Sequence, residues 1–542
     1  MLGAAIPVMT SSDSSTTKIP LDPMPLLLSP DLPGTEVSRL LAPYGFNDWE
    51  KADANLQMMA GDPRSRKLLA LIVQELLEAV SNTADPDQAL NDWERFLEAG
   101  NARTQVFSFL GQTPHLLQLL CVLFGNSPAM AETLIRAPTV IYWLEEERIL
   151  KRRPTKKRLH VLLYDALSLA KTYDRKLDVL RRFHRREMLR LGARDLFRVA
   201  TVQETFQCTS QLAEIVIHAA YQLVNDDLQR QHGSPHHTDS KGQEQKTGFV
   251  VLGMGKLGGG ELNYSSDVDL VYVYESSHGH TNAREGQARL SNEDYFQNLA
   301  KTLTQVMSVS TSEGFLFRVD LRLRPEGAIG PLSWPISEAV NYYQTRGRAW
   351  ERLAFLKARA IAGELSIGKS FLRKIRPFVI GQEEQAPQNI VEAVRSLRTK
   401  IHQKVNRKGD DDRNVKLSPG GIRDIEFIVQ TLQLMHVALE PQLFEPNTLK
   451  SLRLLVAHQH LLPAQGERLQ KHYLYLRDLE HKLQMVHELQ THTLPVQESE
   501  ILKCAIRMGY EAHQLNNNSA PFLAEYRTIT GQVRDLFQHI LF

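Results

Sequence analysis

The chain has 542 residues, room for three or four domains at roughly 150 residues each. Its 42% hydrophobic and 23% charged residues exclude wholesale disorder. Lys plus Arg (64) nearly balances Asp plus Glu (62), and the formal net charge of +2 excludes a nucleic-acid binder that works by bulk charge.

Residues 1 to about 34 are rich in Ser, Thr, Pro and Asp without a period, which predicts a disordered arm. From about 35 to 230 the apolar spacing is helical: Leu116, Leu117, Leu120 and Leu123 recur on one face, and Leu177, Leu180, Met188 and Leu191 on another. The basic cluster KRRPTKKR, broken by Pro154, reads as a solvated link between helices. The polar stretch 231–247, which holds His236 and His237, reads as a loop rather than a metal site.

At about 248 the period changes. TGFVVLGMG predicts a buried strand, VDLVYVY a second and GFLFRVDLRLRP a third, with a helix at 291–310 between the last two. This mixed unit is expected over 248–375. Helices resume with Ser337 as a plausible N-cap, and a helical bundle is expected over 376–542. Cys121, Cys208 and Cys504 form no metal-binding spacing and fit buried thiols in a reducing, cytoplasmic compartment. No apolar run reaches the roughly 18 residues of a transmembrane helix, and the start MLGAAIPVM lacks the basic region of a signal peptide. Neither membrane nor nucleic acid is expected as a partner.

The chemistry concentrates after the first strand, in Gly253-Met-Gly-Lys-Leu-Gly-Gly-Gly-Glu-Leu-Asn-Tyr-Ser-Ser-Asp267-Val-Asp269. Gly253-x-Gly255-x-x-Gly258 has the form of a dinucleotide fingerprint, but a Rossmann turn opens a long helix, and here a second strand comes at once. The acids carry the stronger reading. Residues i and i+2 of a strand share a face, so Asp267 and Asp269 project together. Two adjacent carboxylates repel unless a cation lies between them, and such pairs hold the metals of in-line phosphoryl transfer. On the third strand Phe317, Val319, Leu321 and Leu323 form an apolar face. Arg318, Asp320, Arg322 and Arg324 form the polar one. Asp320 can complete a metal shell, and Arg322 and Arg324 can hold phosphate. Gly258, Gly259 and Gly260 let backbone N–H groups approach phosphate, and Ser265 and Ser266 add hydroxyls. Lys256 reads equally as a phosphate contact or a solvated loop lysine.

GGGELNYSSDVDL followed by FRVDLRLRPEG resembles the nucleotidyltransferase domains of the glutamine synthetase adenylyltransferase/adenylyl-removing enzyme family. LRRFHRREMLRLGARDL (180–196), GRAWERLAFLKARAIAGE (347–364) and SPGGIRDIEFIVQTLQLMH (418–436) resemble it too. The resemblance implies an α+β, mostly α fold with a DNA polymerase beta-like core. It implies Asp267, Asp269 and Asp320 as catalytic Mg²⁺ ligands. It also implies glutamine synthetase as protein substrate, phosphate or ATP as co-substrate, and a PII-type signal protein as a possible regulator. Full-length members carry two such domains; this chain has one copy, worded like the N-terminal, adenylyl-removing one. Removal of AMP from a tyrosine by phosphorolysis is therefore expected, with ATP-dependent addition or a non-catalytic regulatory module as alternatives. Arg423 and Glu426 read as an intrahelical ion pair or, by the resemblance, a pocket wall. Trp350-Glu351-Arg352 reads as a packed helix turn or a site wall.

Overall fold

The computed structural model describes residues 21–29, 31–100, 102–381, 387–407, 409, 412–515 and 517–542. The fold is α+β and mostly helical. In the N-terminal block the helix starts are written locally. Asp48, Asp62 and Asp85 accept hydrogen bonds from the first-turn amides of helices Trp49–Ala60, Pro63–Ser81 and Pro86–Ala99, and two of these helices begin with Pro. Their apolar faces close around Trp93, which meets Phe96 and Phe124 edge-on. Of the segment 1–34, residues 1–20 and 30 lie outside the described residues. The expectation of a disordered arm fails at Pro25–Leu28, a helical turn that buries Leu26 and Leu27 against the first helices.

Two long helices, Tyr173–Leu196 and Val202–His232, lead to the sheets. The stretch 231–247 is not a plain loop. Strands β1 (Pro235–Thr238) and β2 (Glu244–Lys246) pair antiparallel, and β5 (His280–Thr281) joins β1 on its other edge. Alternation there is masked by polar residues on both faces, which is why the pattern reads as loop. His236 and His237 sit in β1, bonded to the Ser234 carbonyl and the Thr247 hydroxyl.

The main sheet holds β3 (Phe249–Gly253), β4 (Val268–Tyr274), β6 (Val319–Asp320), β7 (Ser333–Pro335) and β8 (Arg359–Gly363). Its order is β6-β4-β3-β8, with β7 also on β4. β3 runs antiparallel to β4 and β8, whereas β6 and β7 run parallel to β4. The sheet is a wall shared by two cores. Phe249, Val251, Leu270 and Tyr272 join the core of the N-terminal helices, and Val250, Leu252, Val271 and Val273 join that of the C-terminal helices. Burial on both faces explains the unbroken apolar run of β3.

Two expectations shift in detail. The third strand is only Val319–Asp320, because Asp320 accepts a hydrogen bond from the Arg322 amide and turns the chain. Pro335, not Ser337, caps helix Ile336–Arg346, so Ser337 lies inside its first turn. The three cysteines are buried and free. Among the described residues no single helix is long and apolar enough to cross a membrane.

Candidate active site

The end of the main sheet opens into a cleft of about 1010 Å³. Asp267, Asp269 and Asp320 all line it. β4 and β6 run in register with Asp269 directly opposite Asp320, so the two carboxylates meet across neighbouring strands. Burial, then the charge of Asp320, push the Asp269 carboxyl up to about 6. No hydrogen bond from the described residues reaches that carboxylate. Asp267 accepts from Arg318 Nε at 2.8 Å. Arg322 Nε holds both Asp320 oxygens, at 3.0 and 2.9 Å. Burial raises the Asp320 carboxyl, but these bonds outweigh it and leave it below its usual range.

The donors fit a hard divalent cation such as Mg²⁺: they are all oxygens, Asp269 is unbonded, and the buried Ser266 hydroxyl beside it in the cleft has no hydrogen-bond partner. Among the described residues no three His, Cys, Asp or Glu side chains are gathered as a metal-binding group. Two of the three carboxylates are turned onto guanidiniums instead.

Other expected contacts take different tasks. The amides of Gly258, Gly259 and Gly260 donate to Met254, Gly255 and Leu257 carbonyls at 3.0–3.1 Å, so they are not free to cradle phosphate. Gly258 is a packing glycine: a Cβ there would lie 1.7 Å from the Lys357 carbonyl. The glycine at the site is Gly255, whose φ is +52° and whose Cβ would fall 2.8 Å from Asp269 Oδ2. The four-residue helix Gly255–Gly258 also removes the dinucleotide reading. Arg324 is not a phosphate ligand; its buried guanidinium donates to the carbonyls of Leu321, Ala328, Gly330 and Pro331. The alternation that placed it beside Arg322 ends at the Asp320 turn. Ser265 accepts from Arg318 at 3.0 Å and steadies it, while Arg322 stays 78% exposed at the cleft.

Lys256 lines the cleft but is no solvated lysine. Burial pushes its ammonium down to about 7, against the pull of Glu480, which it meets at 2.7 Å. Glu480 is fully buried on helix Pro463–Met485. It also accepts from Asn263 at 2.7 Å and pairs with His492 at 2.9 Å. His492 lines the cleft too.

The opposite wall comes from helix Ile422–His436, where Arg423, Glu426, Phe427 and Gln430 share one face. Both readings of Arg423 and Glu426 hold at once: they pair at 3.6 Å and they line the cleft. Lys357, buried, bridges Glu426 and Glu261, each at 3.0 Å. Burial would lower its ammonium, but the two carboxylates outweigh it and raise it. Trp350 faces the cleft, whereas Glu351 caps its own helix through the Arg348 amide and Arg352 packs on the Val379 carbonyl. Lys416, missed in the sequence, faces Asp269 and Glu426. No local pattern marks Lys416, Glu480 or His492. Lys357 alone carries a signal, as a lone cation in the run LAFLKA.

A family model described as glutamate-ammonia ligase adenylyltransferase matches residues 117–374, which include all three acids. A relative from Nitrosococcus oceani, named bifunctional glutamine synthetase adenylyltransferase/adenylyl-removing enzyme, is 39% identical over 420 residues. The match covers 78% of this chain and 42% of the relative. Residues 117–374 of this chain belong to that family. Relatives of the same name from Hahella chejuensis (35% identical, 77% and 42% covered) and Rhizobium meliloti (34%, 81% and 44%) agree. The chain thus spans less than half the length of these curated relatives. A second model, described as GlnD PII-uridylyltransferase, matches residues 395–541. Arg423, Glu426, Gln430, Glu480 and His492 fall within it, so the cleft lies where the two matched segments meet.

Proposed function

We propose that this chain carries out nucleotidyl transfer on glutamine synthetase, and that its direction is removal of AMP from an adenylylated tyrosine. One observation carries the reading: Asp267 and Asp269 at the start of β4 and Asp320 on the neighbouring β6 come to one cleft that Lys416 and Arg423 also line. The family's name and the adenylyl-removing wording of the Asp267 segment support the substrate and the direction.

In this reaction an oxygen of inorganic phosphate attacks the α-phosphorus of the adenylyl-tyrosine. A new P–O–P bond forms, the bond to the tyrosine oxygen breaks, and ADP leaves. The proton carried by the phosphate ends on the tyrosine. Asp267, Asp269 and Asp320 would hold Mg²⁺, which when bound neutralises charge on the entering and leaving oxygens. Arg322, exposed at the cleft and tethered to Asp320, is placed to hold the incoming phosphate. Lys416 and Arg423 offset the negative charge of the reacting groups. Lys256, fixed by Glu480, presents one more ammonium at the floor.

The test is to incubate the chain with Mg²⁺ and adenylylated glutamine synthetase, with and without phosphate. ADP should appear only with phosphate. A chain that ignores the adenylylated protein but loads AMP from ATP onto the unmodified one overturns the direction; one that does neither overturns the activity. A regulatory module bound to glutamine synthetase or a PII-type protein without turnover would give that last result.

A further inference from the structure

The wall opposite the acids contains one polar side chain that neither the ion pairs nor the proposed chemistry uses. Gln430 is 93% buried and faces the cleft. Its Nε2 donates to the Leu353 carbonyl at 3.1 Å. That carbonyl lies near the end of helix Ala349–Phe355, where the chain tightens: the Lys357 amide turns to Ala354, and Leu353 is left for Gln430. A carbonyl can only accept, so the nitrogen of the Gln430 amide must be the atom that faces it. This fixes the orientation of the side chain. Its other atom, Oε1, is directed away from Leu353, and no described residue donates to it.

The surroundings fit a flat ring. Phe427 lies one position short of a full helical turn before Gln430, Trp350 and Leu353 come from helix Ala349–Phe355, and Leu397 and Ile401 from helix Pro387–Asn406. These apolar groups line the same cleft as the carboxylates. Arg423, whose charge acts on Asp269, and Gln430 are seven residues apart on one helix. That spacing is about 10 Å along the axis, the order of the distance from the phosphate of an extended nucleotide to the far edge of its base.

We infer that Gln430 is a specificity-determining residue that reads the base of the nucleotide, as a fixed acceptor for the exocyclic amine of adenine. The inference rests on the nucleotidyl-transfer reading of this cleft. An Oε1 that cannot exchange places with its NH₂ accepts a hydrogen bond and cannot give one. Adenine presents a donor at this edge. Hypoxanthine and guanine present a carbonyl there, so two acceptors would face each other in a buried place. Rejection comes from that unpaired contact more than from any attraction lost, the usual basis of strong discrimination between near-isosteric ligands.

The experiment measures binding of ADP and of inosine diphosphate to the chain with Mg²⁺, by equilibrium dialysis. The two ligands differ at the base edge alone. The wild-type chain should bind ADP about tenfold or more tightly. Gln430→Met fills the same space with no acceptor. It should weaken ADP by about tenfold and bring the ratio close to one. Equal wild-type binding of the two ligands overturns the inference and leaves the nucleotide site intact; this result needs no variant, so it decides even where the substitution unfolds the chain. A variant that weakens both ligands alike and keeps the ratio also overturns it, because Gln430 then serves only to cap the Leu353 carbonyl. Failure of the wild-type chain to bind either ligand overturns the cleft as a nucleotide site, and the inference with it.

Discussion

Replacing Asp269 by Asn separates the chemistry of the acids from their effect on stability. The Asp269 carboxyl is raised from 3.8 to about 6, first by burial and then by Asp320. Two units correspond to about 3 kcal/mol. Linkage sets the sign. A carboxyl whose value is raised on folding holds its proton more tightly in the folded chain. Stability is therefore greatest below the unfolded value and is lost as pH rises through about 6. An asparagine cannot ionise and escapes that loss. The variant should gain roughly 1.5 kcal/mol at pH 5 and about 3 kcal/mol at pH 8, measured from the pH at which Asp269 is protonated in both states. Residual solvent contact makes these ceilings. The Asn amide also finds the Asp320 carboxylate as a ready acceptor across the strand pair.

The assay is thermal unfolding of both chains at several pH values in phosphate-free buffer with EDTA, paired with the phosphorolysis assay in Mg²⁺. The variant should melt a few degrees higher at pH 8, with a smaller gain at pH 5 and no turnover. Mg²⁺ should raise the melting temperature of the wild type more than that of the variant, because the cation favours the ionised pair. A variant that melts lower at pH 8, or whose gain does not grow with pH, refutes the electrostatic argument. A variant that keeps turnover refutes the role of the carboxylate.

The geometry sets further outcomes for a lysine, two glycines and two arginines. Lys357→Met leaves Glu261 and Glu426 buried without their cation and should cost about 3–5 kcal/mol in urea unfolding. Gly258→Ala drives a methyl group into the Lys357 carbonyl and should abolish soluble expression. Gly260→Ala, with φ +68° but open space, should cost only about 1 kcal/mol in the same measurement. Arg322→Ala should leave the melting temperature within a degree while slowing phosphate-dependent turnover; Arg324→Ala strips donors from four carbonyls and should lower the melting temperature before any kinetic effect is seen.

The part of the site that was legible in the sequence is the part built on strands. Alternation alone puts Asp267 beside Asp269. The same alternation over Arg318 to Asp320 lets a strand some fifty residues later deliver Asp320 to the same edge, in register with Asp269. Alternation misled only where the strand stopped. Asp320 bonds the Arg322 amide and turns the chain, so Arg324 points inward although its position parity matches Arg322. The glycines misled for another reason. A glycine demanded by close packing and one demanded by phosphate look alike in a sequence, and the Lys357 backbone that crowds Gly258 is about a hundred residues away.

The opposite wall was not legible, and helix geometry explains why. Residues three or four apart share a face, so Arg423 and Glu426 satisfy an ion pair and a pocket wall with the same spacing. Only the last member of that face, Gln430, breaks the tie. A buried amide has no partner on its own helix and must take its meaning from the group across from it. That group is the Leu353 carbonyl, left free by a tightening helix end. The strand half of the cleft therefore announces its reaction class through local periodicity. By the inference drawn for Gln430, the helical half sets what is recognised, through contacts between segments far apart in the chain. Substitutions at the acids should accordingly change the rate for every nucleotide alike, whereas substitution of Gln430 should change which nucleotide is chosen.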